Sequence, residues 1–267
     1  MSIEAQISDP ICETARVYQL GRVVFTLKNC DSKYEEALNS LLPHFAGSEL
    51  PDDRHEVNTG CSKDVTVLIR HTGTVHHQKK CVWIEASCVI APNGKKVLIT
   101  GPAKSGKTTT AVALALGQQW KVLAENYCII DYDHGKFLKF LAPAALDDKS
   151  IEILKRNEIT PEPTLQLEWR TNRVWSPTTD VIGDTTYEPN WDLAIWLERD
   201  EQSTEELAVD SLTTGEFGRK IMPVSNLLKL PNSYESFLQS LAHTRCVKLT
   251  NGELEARSKF IVDAVNV

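Results

Sequence analysis

One segment constrains this chain more than any other: residues 101–108 read Gly-Pro-Ala-Lys-Ser-Gly-Lys-Thr. They fit the phosphate-binding loop pattern G-x-x-x-x-G-K-[ST] in full. The apolar, β-branched run Lys96–Thr100 before the loop predicts a strand. Residues 108–116 after it predict a helix that ends at Gly117. The chain must therefore place a strand, a tight turn and a helix in direct succession.

The chemistry that this pattern serves is the binding of nucleotide phosphates. Loop amides and the N-terminus of the following helix offer N–H donors and partial positive charge. Lys107 is expected to reach the β- and γ-phosphates of ATP, and the Thr108 hydroxyl to hold Mg²⁺. The alternative is a glycine-rich turn without a ligand. The predicted nucleotide-binding residues are Gly101, Pro102, Ala103, Lys104, Ser105, Gly106, Lys107, Thr108 and Thr109.

The amino-acid composition limits the classes of partner that this chain is expected to bind. The 267 residues carry a formal net charge of −7 and no basic stripe, so we expect no nucleic-acid binding. No apolar run has the length of a membrane span, and residues 1–20 lack the apolar core of a signal peptide.

Seven scattered cysteines without a C-x-x-C pair favour reduced thiols in the cytoplasm. A homo-oligomer remains open. The cluster His71, His76, His77 and Cys81 fits a hairpin turn better than a metal site.

The chain is predicted to have two parts. Residues 1–80 form a small α+β region, with a hairpin around Gly21, a helix at 34–45 and a strand at 65–69. Within this region, residues 47–60 are polar and contain the turn-forming run Pro51-Asp52-Asp53, and residues 71–80 form a turn between strands. Residues 81–267 form the domain that carries the phosphate-binding loop.

The second part begins with a predicted hairpin. Residues 81–91 and 95–100 are strand-like, and Pro92-Asn93-Gly94 between them is a turn signal. Residues 121–131 predict another strand, which a turn at 133–135 and a return at 136–141 follow. Hairpins on both sides of the loop helix favour an α/β fold with a mixed sheet over Ras-like or ABC-type folds. Further predicted elements are helices at 148–155, 203–217, 232–243 and 256–267 and strands at 192–198 and 246–249.

In this order of elements, residues 80–267 resemble the kinase domain of HPr kinase/phosphorylase and its related kinases, which share a P-loop core with phosphoenolpyruvate carboxykinase. The resemblance is carried by the hairpin, by GPAKSGKTTTAVAL, by VLAEN ending at Asn126 and by LDDKSIE at 146–152. It implies an HPr-kinase/PEPCK-like core. It also implies a kinase that uses ATP and Mg²⁺ to phosphorylate a serine or threonine hydroxyl of a small protein or peptide. By this resemblance Lys107 and Glu125 are the catalytic residues, and Thr108 and Glu125 the metal ligands.

The chain departs from the family pattern at several positions. The family has two aspartates where this chain has Glu125 and Asn126, and a histidine where it has Glu85. Residues 143–145 lack the arginine of the family motif, which leaves Lys104, Arg170 and Arg173 as candidates for phosphate charge stabilisation. Two further hypotheses therefore stay open: a small-molecule hydroxyl as acceptor, and a catalytically weak nucleotide-binding regulator or scaffold of the same fold.

A third hypothesis starts from the apolar run between Asp192 and Glu198. An apolar strand that ends in an acid is typical of the second metal-binding motif of ordinary NTPases. This hypothesis makes Glu198 the metal ligand and predicts a parallel sheet around the loop strand. The Asn93-Gly94 hairpin argues against it.

Overall fold

The structure is a computed structural model that describes part of the chain. It gives the backbone of residues 16–20, 23–28 and 54–58, and it describes residues 81–132, 136–138, 140–141, 144–161, 164–166, 173–175, 188–199 and 206–266.

Three strands precede residue 81 in the described chain. β1 (Arg16–Leu20) and β2 (Val23–Lys28) form an antiparallel hairpin, which confirms the prediction around Gly21. β3 (Arg54–Asn58) pairs parallel with β2, in the polar stretch 47–60 where no strand was predicted. The turn-forming run 51–53 before it lies outside the described residues. The sequence of β3 is polar and does not by itself predict a strand. Whether such a segment forms a strand depends on its pairing with neighbouring strands. The predicted elements at 34–45, 65–69 and 71–80 lie outside the described residues.

The phosphate-binding loop lies between β5 and α1. β4 (Val82–Ile90) and β5 (Lys96–Thr100) form the predicted antiparallel hairpin, and α1 spans Lys107–Gly117. The elements that follow are β6 (Lys121–Glu125), β7 (Tyr127–Asp131), β8 (Lys136–Leu138), β9 (Phe140–Leu141), β10 (Ala144–Leu146), α2 (Asp148–Arg156), β11 (Thr164–Gln166), β12 (Arg173–Trp175), β13 (Leu193–Glu198), β14 (Ala208–Leu212), α3 (Thr214–Ile221), a 3₁₀ turn (Met222–Val224), α4 (Ser233–Ser240), β15 (Arg245–Thr250) and α5 (Leu254–Asn266).

The main sheet is mixed, as predicted. Its strands follow the order β14-β15-β13-β5-β4-β6-β9, and β7 and β8 extend it from β4. The loop strand β5 runs antiparallel to β4 on one side and parallel to β13 on the other. The wholly parallel surroundings expected for an ordinary NTPase are therefore not found around β5.

Apolar cores cover both faces of this sheet. One core joins the sheet to α1, α2 and α5 and includes Leu114, Leu154 and Ile261. The other joins it to α3 and α4 and includes Phe217 and Phe237. The sheet is thus the middle layer between two helical layers, which is the arrangement of an α/β protein.

Two predicted elements were wrong in detail. The strand predicted at 121–131 is divided into β6 and β7, because Asn126 between them adopts a left-handed conformation with φ 65°. The helix predicted at 203–217 begins only at Thr214. A capping box of Thr213 and Glu216 starts it, and β14 before it pairs with β15.

Four cysteines lie in the described part of the chain, and all are free and buried, as expected for reduced thiols: Cys81, Cys88, Cys128 and Cys246. Within the same residues, no helix combines the length and the apolar character needed to cross a bilayer.

Gly101 brings the loop close to the neighbouring strand β13. Its φ is +147°, and a Cβ there would lie 2.2 Å from the carbonyl oxygen of Leu197 in β13. Gly94, in the β4–β5 turn, also has a positive φ, of +84°, but a Cβ there would meet no described residue within 4 Å. A side chain at Gly101 would therefore meet both a steric clash and an unfavourable backbone conformation. A side chain at Gly94 would meet only the unfavourable backbone conformation.

We predict that Gly101→Ala lowers the free energy of unfolding by about 3 kcal/mol or more, because it adds overpacking to backbone strain. Gly94→Ala, the matched control, should cost roughly 1–2 kcal/mol, since only the left-handed conformation is penalised. Urea denaturation of the three proteins measures the difference. Equal losses in both variants would show that Leu197 does not constrain the loop.

Candidate functional site

The loop has the backbone conformation of a tight turn into a helix. Gly106 is the N-cap of α1 with φ 97°, and Lys104 is left-handed with φ 64°. Because α1 begins at Lys107, the first amides of the helix have no partner within the helix. They form a site suited to an anion.

The Lys107 side chain folds back onto the backbone of the loop. Its Nζ donates hydrogen bonds to the carbonyl oxygens of Gly101, at 2.8 Å, and Pro102, at 2.9 Å. Burial lowers the pKa of Lys107, and the nearby charges of Glu85 and Glu125 oppose that effect. The ammonium group is thus held inside the loop, close to two acidic side chains.

Glu125 is the buried acid of the site, with 1% of its surface exposed. Its Oε1 accepts a hydrogen bond from Thr108 Oγ1, and its Oε2 accepts one from Ser87 Oγ, both at 2.6 Å. Burial raises the pKa of Glu125, although both hydroxyl groups, the Asn126 backbone and Lys107 favour its charged form. The structure brings together the two residues predicted as metal ligands.

The pairing of β4 explains why Glu125 reaches the loop. The second half of this strand pairs with β6 and the first half with β7. At the junction, the backbone N–H of Ala86 donates to the carbonyl oxygen of Asn126, at 3.1 Å. The left-handed turn at Asn126 therefore fixes the end of β6 beside the middle of β4, where Ser87 contacts Glu125.

The side chains at this point fit Mg²⁺. A hydroxyl and a carboxylate are hard oxygen donors, and Mg²⁺ in phosphate-binding sites takes one or two carboxylates with the remaining ligands from water and phosphate. Among the described residues there is no group of three or more His, Cys, Asp or Glu side chains that could hold a metal by itself. Thr108 and Glu125 are thus a donor pair suited to a metal ion that arrives with a phosphate ligand.

A cavity of about 490 Å³ opens beside the loop. It is bounded by the loop, by the start of α2 and by two arginines from other parts of the chain. Five cationic side chains and one carboxylate, Asp147, line it. This local positive charge contrasts with the net charge of −7 and suits a polyanion. The cations are Lys104, Lys107, Lys149, Arg199 and Arg257.

Both arginines and Ser87 lie at the site but were not predicted from the sequence. Arg257 is 6% exposed and occupies the face of α5 that also buries Leu254, Ile261 and Val265. A charged residue on an otherwise apolar helix face is a sequence signal that could have identified it. Ser87 shares a strand face with Glu85, since strand side chains alternate. Arg199 directly follows β13 and carries no comparable signal.

Glu198 and Asp192 make contacts away from the loop cavity. Glu198 ends β13, and its Oε2 lies 3.7 Å from Lys220 Nζ on α3, in the opposite helical layer from α1. Asp192 accepts a hydrogen bond from the backbone N–H of Lys96, at the far end of β5 from the loop. Arg173 belongs to β12. Arg170, His71, His76 and His77 are not among the described residues.

Fold and site together define a mixed α/β protein in which a strand, a glycine-containing loop and a helix bound a cationic cavity. Neither the protein-family models nor the curated proteins that were searched include a match to this chain. The residues of the site are therefore the basis on which a function can be inferred for this chain.

The raised pKa of Glu125 predicts how stability depends on pH. Between the ordinary value near 4.5 and the higher value in the folded state, the folded protein holds a proton that the unfolded chain releases. The contribution of Glu125 to the free energy of unfolding is therefore complete below its ordinary pKa. It is lost as the pH rises through the pKa of the folded state.

We predict that Glu125→Gln, which cannot titrate, becomes more stable relative to wild type as pH rises above 4.5 in the absence of divalent cations. Thermal unfolding with EDTA from pH 4 to pH 8 measures this trend. A stability difference that is independent of pH would show that burial does not raise the pKa of Glu125.

Proposed function

We propose that this protein is a phosphotransferase that uses ATP and Mg²⁺ and has an HPr-kinase-like core. Its proposed acceptor is a serine or threonine hydroxyl of a small protein or peptide. The observation that carries the proposal is the direct hydrogen bond between Glu125 and Thr108, at the rim of a cavity with five cationic side chains. A carboxylate beside the loop hydroxyl is the arrangement that phosphoryl transfer requires for metal binding.

The arrangement of strands supports the HPr-kinase-like part of the proposal. The loop follows the second strand of a hairpin, and the next strand, β6, ends in an acid that returns to the loop. This is the order on which the resemblance rests. Because β5 also has an antiparallel neighbour, the arrangement favours this core over that of an ordinary NTPase.

Each site residue has a distinct proposed role. Loop amides and Lys107 bind and neutralise the β- and γ-phosphates. Mg²⁺, when bound by Thr108 and Glu125, supplies further charge neutralisation. Glu125 accepts the proton of the acceptor hydroxyl on a carboxylate oxygen. A raised pKa suits this role, since a general base works best when its pKa is near the working pH. The same chemistry would serve a small-molecule hydroxyl.

A second candidate function is a nucleotide-dependent regulator or scaffold. One observation favours it: both carboxylate oxygens of Glu125 already accept hydrogen bonds, from Thr108 and Ser87, and the neighbouring Asn126 cannot ionise. A carboxylate held in this way is suited to binding a metal ion and less suited to accepting a proton. In that function nucleotide binding would shift the population of two conformations.

Nucleotide binding at the loop is tested by Lys107→Ala. This change removes the cation held inside the loop, so we expect ATP affinity to fall by about 10- to 100-fold, as for a lost charged hydrogen bond. Isothermal titration calorimetry gives the affinities. Lys155→Ala, an exposed change on α2, is the control and should bind like wild type. Equal ATP affinity in Lys107→Ala and wild type would exclude the loop as the nucleotide site.

Glu125→Gln separates the two candidate functions. We expect phosphate transfer to fall by about 10²–10⁴-fold, because a general base contributes that much to the rate. ATP affinity without Mg²⁺ should stay within a few fold. The assay follows phosphate from labelled ATP to peptide and protein hydroxyls, with hydrolysis to water as a second readout.

The companion variant Asn126→Asp restores a second acid. If that acid limits the rate, turnover should rise in this variant and not in the control Asn126→Ser. Unchanged turnover in Glu125→Gln would remove Glu125 as the base. Tight ATP binding by the wild type without transfer or hydrolysis would favour the regulator.

A further inference from the structure

Arg257 is a buried guanidinium with few polar partners in the described part of the chain. It is 6% exposed, and its Nη1 donates one hydrogen bond, of 3.3 Å, to the carbonyl oxygen of Ser105. Its Nε is buried and has no hydrogen-bond partner among the residues that the structure describes. No carboxylate of the described residues forms an ion pair with it. Buried charges are normally paired. An anionic ligand that binds next to Arg257 is therefore the simplest physical explanation for this buried guanidinium.

The surroundings of Arg257 increase the need for an anion. Arg199 also lines the loop cavity, and its positive charge acts directly on Arg257. Burial and, next, this repulsion lower the pKa of Arg257 to about 10, and the charge of Glu253 only partly opposes them. Two cations that face one cavity repel each other until an anion lies between them.

The position of Arg257 connects it to the loop. A Cβ on Gly106 would lie 2.8 Å from Arg257 Nη1, so the guanidinium packs directly on the N-cap of α1. It reaches this place from α5, which packs against α1 in the same apolar core. The cavity thus has cations from the loop, from the end of β13 and from α5.

We propose that Arg257 and Arg199 form a phosphate-binding subsite beside the loop, which selects polyphosphate ligands over monophosphates. The proposal rests on the proposed function for the nucleotide as ligand, but the subsite itself requires only a polyphosphate. Inorganic pyrophosphate is therefore the probe, because it carries two linked phosphates and no nucleoside.

The test measures pyrophosphate, phosphate and ATP affinity by calorimetry in wild type, Arg257→Met and Arg199→Met. In Arg257→Met we expect pyrophosphate and ATP affinity to fall by about 10- to 100-fold. The Arg199 side chain is exposed, so in Arg199→Met we expect pyrophosphate and ATP affinity to fall by only about twofold to fivefold. Phosphate should bind weakly to all three proteins. Arg156→Met, an exposed arginine on α2, is the control and should match wild type.

Ligand-free thermal unfolding separates binding from structure. If the role of Arg257 is to bind an anion, the Tm of ligand-free Arg257→Met should equal or exceed that of wild type. The reason is that the substitution removes an uncompensated buried charge. A lower Tm with wild-type pyrophosphate affinity would assign Arg257 a structural role and overturn the proposal. If Arg257→Met does not fold, Arg199→Met decides: wild-type pyrophosphate affinity in that variant overturns the subsite.

The failures of the two proposals are distinguishable. ATP binding that depends on Lys107 but not on Arg257 or Arg199 would overturn the subsite alone. Pyrophosphate binding that depends on Arg257 without any ATP binding would support the subsite and overturn the nucleotide function. A wild-type protein that binds neither ligand would overturn both.

Discussion

The buried carboxylate of Glu125 is the interaction on which the site depends. It accepts a hydrogen bond from Thr108 at the start of α1 and another from Ser87 on β4, so three elements meet at one charged group. A carboxylate that is 1% exposed is stable only when its oxygens are hydrogen-bonded. The fold provides those donors by breaking the strand at Asn126, which places Glu125 opposite the middle of β4.

The charge distribution around this group has a simple consequence. An acid lies at the inner end of the site, and five cations line the cavity beside the loop. Under the proposed function, a polyphosphate with Mg²⁺ would bring negative charge to the cations of the cavity and a metal ion to Glu125. The arrangement is therefore complementary to a metal–polyphosphate complex rather than to a simple anion.

Steric constraint acts alongside charge. Gly101 lies so close to Leu197 that no Cβ fits, and Gly106 packs on Arg257. The loop is thereby held between β13 on one side and α5 on the other. The same two elements bring Arg199 and Arg257 to the cavity, so the contacts that fix the loop also determine the charge beside it.

The sequence by itself determined the hairpin, the loop, α1 and the mixed sheet, because these rest on local signals: an Asn-Gly turn, a glycine pattern and apolar runs. The loop motif predicted roles for Lys107 and Thr108, and the resemblance predicted one for Glu125, which the structure places against Thr108. It could not separate β6 from β7 or place β14, because a left-handed Asn126 and pairing with β15 are set by neighbouring strands. Only the tertiary structure brought Ser87, Arg199 and Arg257 to the site, since they are distant in sequence and meet the loop through β4, β13 and α5.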